Sequence, residues 1–398
     1  MSDRTATLPT AGDESALITG APSGAHGAVR AWPLEAALAA IGPFAVSRFV
    51  VWVGTEFGAR FIPTVSKGYN SGLVPSSALS PFFHWDSDYY AAVMRYFYGA
   101  APSGVQPAAY RAAFFPLYPL LARLAGGSDW AMLLIPNAFF LVALVLLYEL
   151  AKRRFDAQRA QLVLWLVALG PAAMFFSYPY SESLLLALAV GAFLLMEAGH
   201  PLLAGVVGIA AATSRFPGVL VGAALATNGI VRRRVAHVVA GALPVAGVAV
   251  VAAVEWAQMG DPLGFVHGQS LWVGPSRSLL HILGSFPKAV MEGDPSRPEA
   301  LGVPVLLLFA AAAVWVWLRM PPAYGVYAVV QVLLAAVQGW HLQSFYSVPR
   351  YLVVIFPCYF AFAALLTRRP GLQIPWLVLS AAAMLALSAL YGSWRFIG

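Results

Sequence analysis

Apolar stretches about as long as a bilayer is thick recur along this chain, and they constrain its fold more than any motif does. AMLLIPNAFFLVALVLLYEL (131–150) is one of them. Crossing roughly 30 Å of hydrocarbon at 1.5 Å per helical residue takes about 20 residues. Eleven segments qualify as candidate spans, near 32–53, 129–150, 160–177, 182–198, 201–214, 216–231, 236–257, 300–319, 323–341, 350–367 and 373–392. Backbone groups inside lipid must find partners within the segment, so these spans are expected to be helices. A closed barrel would show alternating segments of about ten residues instead. Composition agrees: 60% of the 398 residues are hydrophobic and only 10% charged, against roughly 25% charged in soluble domains. The expected fold class is therefore an all-α polytopic membrane protein with about 11 transmembrane helices.

The formal net charge of +7 would point to nucleic acid in a soluble protein. Here the basic residues cluster in short connections: Lys152, Arg153, Arg154 and Arg159, Arg232 to Arg234, Arg319, and Arg368 with Arg369. All fall on one side if the spans alternate, and the positive-inside rule makes that side cytoplasmic. No nucleic-acid partner is needed. The amino terminus is then expected inside and the carboxyl terminus outside. Residues 1–30, rich in small residues and lacking an apolar core, read as a disordered cytoplasmic tail and not as a signal peptide. Residues 31–398 read as a single transmembrane domain without internal repeats. The one cysteine, Cys358, lies in an apolar run, and the seven histidines show no ligand spacing. Nothing supports a metal site of the zinc type.

Two long connections, about 54–128 and 258–299, both land on the extracytoplasmic side, and long loops in a compact fold usually carry function. The first contains HWDSDYY (84–90) and then AFFPLYPLLARL (113–124), too short and proline-broken to span and so expected as an interfacial helix. Tyr89, Tyr90, Val93, Met94 and Phe97 recur at three- and four-residue spacing, which predicts an amphipathic helix over 87–98 with Asp86 at its N-cap. Asp88 falls on another face, in line with Ala91, Ala92 and Arg95. Asp86 either caps the helix alone or serves as a general base, since a carboxylate drawn out of water is a better proton acceptor. Asp88 either faces water or pairs with Arg95.

Two arginines carry the next signal. Arg215 lies in the break ATSRFPG (212–218) between two short spans, and Arg350 in SVPRYLVV (347–354). Each precedes a helix start, where a cation is disfavoured unless an anion answers it. A phosphate ligand would satisfy both; so would a protein carboxylate such as Glu182 or Asp261. Glu182 in YPYSESLL (178–185) suits a first helical turn on dipole grounds alone. Asp261 opens GDPLGFVHGQSLW (260–272) as an N-cap before Pro262, and Gln269, two turns on, is placed to hydrogen-bond a sugar or phosphate.

Taken in order, HWDSDYY, AFFPLYPLLARL, SYPYSESLL, ATSRFPGVL, GDPLGFVHGQSLW and SVPRYLVVIFP resemble the PIG-V-type mannosyltransferases of the GT-C glycosyltransferase superfamily. The resemblance implies a GT-C-like fold whose long extracytoplasmic loops carry short interfacial helices. It also implies a catalytic aspartate in the first such loop, most plausibly Asp86 with Asp88 beside it, and inverting transfer of a hexose, mannose first. The donor would be a polyprenyl-phosphate-linked sugar and the acceptor a lipid or glycan at the extracytoplasmic face. Arg215 and Arg350 are then candidates for holding the leaving phosphate, with Glu182, Asp261, Gln269 and Tyr118 as further substrate contacts. No cofactor is required, although Asp86 and Asp88 could bind a divalent cation loosely. The Ala-, Gly- and Arg-rich composition points to a bacterial plasma membrane, where the eukaryotic acceptor is not expected. The rival reading is a transporter or lipid flippase with an outward-facing polar site.

Overall fold

The structure is a computed structural model that describes residues 32–64, 73, 75, 77–273, 299–342 and 345–395. The tail expected at 1–30 and most of the second long connection, 274–298, lie outside the described residues, and no strand occurs among the described ones. Helix α1 (Trp32–Phe61) leads into a loop with three short helices, α2 (Asp86–Tyr96), α3 (Ala108–Arg111) and α4 (Leu117–Leu124). Then come α5 (Asp129–Lys152), α6 (Ala157–Leu169), α7 (Glu182–Glu197), α8 (Pro201–Ser214), α9 (Leu220–Arg232) and α10 (Val235–Met259). The short α11 (Gly264–Ser270) opens the second connection, and α12 (Glu299–Arg319), α13 (Pro322–His341), α14 (Val348–Leu352), α15 (Phe356–Thr367) and α16 (Gln373–Gly392) complete the chain.

Six helices, Leu34–Phe61, Asp129–Lys152, Val235–Met259, Gly302–Arg319, Pro322–His341 and Pro370–Gly392, are long and apolar enough to cross a bilayer. The chain is an integral membrane protein of the helical class. The other five expected spans correspond to the shorter helices α6, α7, α8, α9 and α15, of 12 to 16 residues. Two of these continue unevenly: Gly170–Pro171 turns the end of α6 into a 3-10 helix, Pro171–Phe176, and α14 precedes α15 with Val353, Val354 and Ile355 between the two. Apolar sequence reports shelter from water, and protein can supply that shelter as well as lipid. Helix α7 shows this, because most of its residues are buried between α5 and α8. It needs no lipid-matched length.

Close helix contacts rest on small residues, as expected where burial from water cannot drive helices together. A Cβ on Gly58 would overlap the Ala389 backbone of α16, and one on Gly54 would sit 2.6 Å from the Leu385 carbonyl oxygen. Those two glycines, four residues apart on one face of α1, let α1 and α16 pack backbone to backbone.

The first loop is pinned to the far end of α16. The Tyr391 hydroxyl donates to the His84 carbonyl at 2.9 Å and accepts from the His84 amide at 3.1 Å. The His84 Nδ1–H donates to the Tyr391 carbonyl at 2.8 Å, and the imidazole stacks on Trp394 with centroids 3.7 Å apart. This clamp fixes the residue immediately before the turn into α2. Trp85 makes that turn at φ 58°, a conformation that costs a bulky residue about 1–3 kcal/mol and persists only when its surroundings enforce it. Trp85 therefore takes the N-cap position expected of Asp86, and Asp86 is the first residue inside the helix, with no side-chain cap made. Its carboxylate is left for other contacts.

Candidate functional site

Where the first loop meets the starts of α7 and α14 and the break after α8, four charged side chains converge. Glu182, the first residue of α7, is 1% exposed. It accepts from Arg215, in extended backbone between α8 and the 3-10 turn Phe216–Val219, and from the Nε of Arg350 in α14. Arg350 also reaches the first loop: its Nη1 donates to Asp86 Oδ2 at 2.5 Å. Its guanidinium lies over the Tyr180 ring at 4.6 Å and the Phe175 ring at 5.6 Å. Arg215 lies over Tyr351 at 5.4 Å.

The break that carries Arg215 is tight. A Cβ on Gly218 would overlap the Ala211 backbone, so the chain turns back on α8 immediately after the arginine. Arg350 is positioned by Pro349 in the first turn of α14, where the missing amide is no loss.

These charges edge a cavity of about 210 Å³ lined by Asp86, Arg215, Gln269, Gln338, Ser347 and Arg350 on its polar side. Aromatic rings form the rest, among them Tyr90, Phe114, Phe115, Phe216, Trp272 and Tyr351. Tyr89 stacks on Phe114 at 4.7 Å and meets Trp272 edge-on at 5.2 Å, so the second connection closes over the first loop through rings. Tyr90 hydrogen-bonds Ser181 at 2.7 Å. Burial pushes its hydroxyl up to about 12, so it stays protonated at neutral pH and serves as a hydrogen-bonding wall.

Of the residues singled out from sequence, Asp86, Arg215, Arg350 and Gln269 share this cavity, and Glu182 lies against both arginines. The two helix-start cations are answered from within the protein: Glu182 partners both, and Asp261 partners neither. Asp261 instead accepts from the Leu263 amide at 3.0 Å and from His267 Nδ1 at 2.7 Å. The His267 contact comes first in holding its carboxyl below the usual range. It caps the turn into α11 and does not line the cavity.

Asp88 is 1% exposed and accepts from Gln106 Nε2. Neither expected partner applies: it does not face water, and Arg95 pairs with Asp129 at 3.7 Å. With Asp88 buried against Gln106 and Asp86 bound to Arg350, the two carboxylates serve different contacts, and no group of three or more His, Cys, Asp or Glu suited to a metal occurs among the described residues. Tyr118 is buried, donates to the Met132 carbonyl at 2.6 Å and packs edge-on against Tyr90; it supports the cavity wall from behind.

Sequence reasoning passed over Trp272, Gln338 and Ser347. Trp272 is the last residue of a segment already singled out. Gln338 sits in an apolar helix where a single polar side chain gives little signal, and Ser347 opens the SVPR turn.

No family model matches the chain, and no curated protein sequence matches it. Among solved structures, the chain is similar to the apo form of the Archaeoglobus fulgidus oligosaccharyltransferase, with 14% identity and a TM-score of 0.49 over 93% of this chain and 57% of the other. It is also similar to the archaeal oligosaccharyltransferase AglB from Archaeoglobus fulgidus in complex with an inhibitory peptide and a dolichol-phosphate. There the identity is 13% and the TM-score 0.46, over 90% of this chain and 56% of that one. The chain spans little more than half the length of these proteins.

Proposed function

We propose that this protein is a membrane glycosyltransferase that moves a sugar, mannose first among hexoses, from a polyprenyl-phosphate donor to a hydroxyl of a lipid or glycan acceptor at the extracytoplasmic face. The observation that carries the reading is the meeting of Asp86, Arg215 and Arg350 in one aromatic-walled cavity. A carboxylate beside two guanidiniums is what an inverting transfer from a lipid phosphate requires.

In this reading the acceptor hydroxyl gives its proton to Asp86 as its oxygen attacks the anomeric carbon from the face opposite the phosphate. The bond between the anomeric carbon and the phosphate oxygen breaks, and its electron pair leaves with the polyprenyl phosphate. The leaving group gains one negative charge as that bond breaks. Arginines fixed in place beforehand stabilise charge that develops there without reorganising. Donor phosphate competing for Arg350 would also loosen its bond to Asp86, so the base is released when the donor is present. Trp272 and Tyr351 offer ring faces to the sugar, and Gln269 and Gln338 offer amides to its hydroxyls.

The test uses the purified full-length protein in detergent with radiolabelled mannosyl polyprenyl phosphate and a bacterial lipid extract as acceptor. Label should move to the acceptor, and Asp86→Asn should slow turnover by about two orders of magnitude or more, the range of a general base. Near-normal transfer by Asp86→Asn would remove the base. No transfer in detergent, together with label crossing the bilayer on an unaltered carrier once the same protein is reconstituted in sealed vesicles, would mark a transporter or flippase instead.

A further inference from the structure

A second cavity, of about 580 Å³, lies between α1 and α5. Helix α1 contributes Arg48, Trp52 and Glu56 to its lining, α5 contributes Trp130 and Asn137, and the first loop contributes Phe82. Arg48 lies about 24 Å along α1 from Trp32. On the topology that the basic connections predict, reckoned from Trp32, that is the outer third of a hydrocarbon layer roughly 30 Å thick.

Arg48 has only neutral partners. Its Nη1 donates to Asn137 Oδ1 at 3.4 Å and its Nη2 to the Ala173 carbonyl at 3.3 Å, both long, and its guanidinium lies over the Phe140 ring at 4.5 Å. Asn137 is itself fixed by its Nδ2, which donates to the Leu133 and Ser177 carbonyls, so the long bond to Arg48 is set by the fold. The Arg48 Nε is buried and has no hydrogen-bond partner among the described residues. No ion pair to Arg48 occurs among them either, because the carboxylate that shares the cavity, Glu56, is held by Arg60 at 2.9 Å one turn further along α1. A cation inside a bilayer is costly unless an anion or water answers it.

The cavity faces the bilayer. Trp52 and Trp130 line it yet are 54% and 59% exposed, and Phe49 and Leu134, on the same two helices, are exposed as well. That is the surface helices offer to acyl chains, and tryptophans gather where the bilayer meets water. A buried guanidinium behind an apolar, membrane-facing opening fits an anion that arrives on hydrocarbon tails.

We infer that this cavity binds the phosphate of an anionic glycerophospholipid from the outer leaflet, with Arg48 on the phosphate and the acyl chains along α1 and α5. A phosphate can accept from the Nε and Nη groups of one guanidinium together. A zwitterionic headgroup fits less well, since Glu56 is already paired and no other carboxylate among the described residues lines the cavity to meet its cation. The inference does not rest on the reaction proposed for the Asp86 cavity.

The purified full-length protein is reconstituted with equal amounts of dioleoylphosphatidylglycerol and dioleoylphosphatidylcholine, and retained lipid is counted by native mass spectrometry. The wild type should retain phosphatidylglycerol preferentially. Arg48→Gln should lower that preference about fivefold, the worth of one basic residue toward an anionic lipid, and Arg48→Lys should keep most of it. Leu133→Trp fills the cavity from the α5 side and leaves the arginine in place; it should lower the preference by a similar factor, which decides the matter even if Arg48→Gln fails to fold. Arg123→Gln removes the same charge from an exposed position outside the cavity and should leave the preference intact. Equal retention of the two lipids by the wild type would overturn the site. So would equal losses in Arg48→Gln and Arg123→Gln, which would mark diffuse attraction, or displacement of the lipid by millimolar inorganic phosphate, which would mark a free-anion site.

Discussion

Arg350 and Asp86 meet at 2.5 Å although 264 positions separate them in the chain. Through its Nε the same guanidinium holds Glu182, so one buried arginine ties the first loop to the start of α7. The order of the site and the order of the fold therefore depend on the same side chain.

Asp86 and Asp88 should separate cleanly in mutagenesis. Asp86 lies on the cavity edge and caps nothing, so Asp86→Asn should cost turnover by about 10²-fold or more, while Glu182, which still answers Arg350, limits the fall in Tm. Asp88 is buried against Gln106, and weakening that charge-assisted bond should cost about 1.5–3 kcal/mol of stability. Asp88→Asn should thus lower Tm while the folded fraction keeps most of its activity. Thermal unfolding and transfer rates measured on the same preparations check both, and the opposite pattern would exchange the two roles.

Removing Arg350 should act on both stability and donor binding. Loss of one partner from a buried ion pair costs about 3–5 kcal/mol, since a charge is left uncompensated. Arg350→Ala should therefore lower Tm strongly and raise the Michaelis constant for the donor. Glu182 keeps Arg215 as a partner in this variant and Asp86 is the carboxylate left uncompensated, so Asp86→Asn added to it should return part of the Tm. The donor constant should not recover. If it returns together with Tm, Arg350 supports the fold and does not touch the phosphate.

Much of this arrangement was legible in the sequence, for particular reasons. Apolar length marked the six helices long enough to cross a bilayer and, with them, five shorter ones, and the proline breaks marked where Arg215 and Arg350 would sit. The charge pairing was less legible. Glu182 and Asp261 both fitted a first-turn or cap position, and only the folded chain shows that one meets two arginines while the other bonds His267. Local periodicity placed the helix after Trp85 within a residue or two. It gave no sign that Tyr391, about 300 positions on, would set the turn, because contacts that distant leave no periodic trace. Helix spacing did put Asp86 and Asp88 on different faces, but the partner of Asp88, Gln106, lies in a stretch with no pattern of its own.

The glycine seam between α1 and α16 predicts a structural variant with a functional echo. Gly58→Val places side-chain atoms where the Ala389 backbone lies, and overpacking of this kind costs about 1–3 kcal/mol. Since α16 carries Tyr391, which holds His84, the variant should also reduce transfer. A Cβ at Gly371 would meet nothing within 4 Å, so Gly371→Ala should leave Tm and transfer unchanged. Thermal unfolding of the two variants side by side is the check, and equal behaviour would dismiss the seam.

His84 should make the clamp on the first loop sensitive to acid. Burial pushes its imidazole down to about 4, with the bond to the Tyr391 carbonyl opposing the shift, against about 6.5 in an unfolded chain. Between those values the unfolded chain takes up a proton that the folded chain refuses, so stability falls as pH falls. The contribution is fully present above about pH 6.5 and is lost by about pH 4. A shift of that size corresponds to about 3 kcal/mol. His84→Asn keeps an N–H near the Nδ1 position but cannot titrate. Its Tm should be lower at neutral pH, for want of the ring stacked on Trp394, yet should decline less between pH 7 and 4.5 than that of the wild type. Other titrating groups are common to both proteins and cancel in the comparison. Parallel Tm profiles would mean that His84 is already free to protonate in the folded protein, and the clamp would then have to be rebuilt around a charged ring.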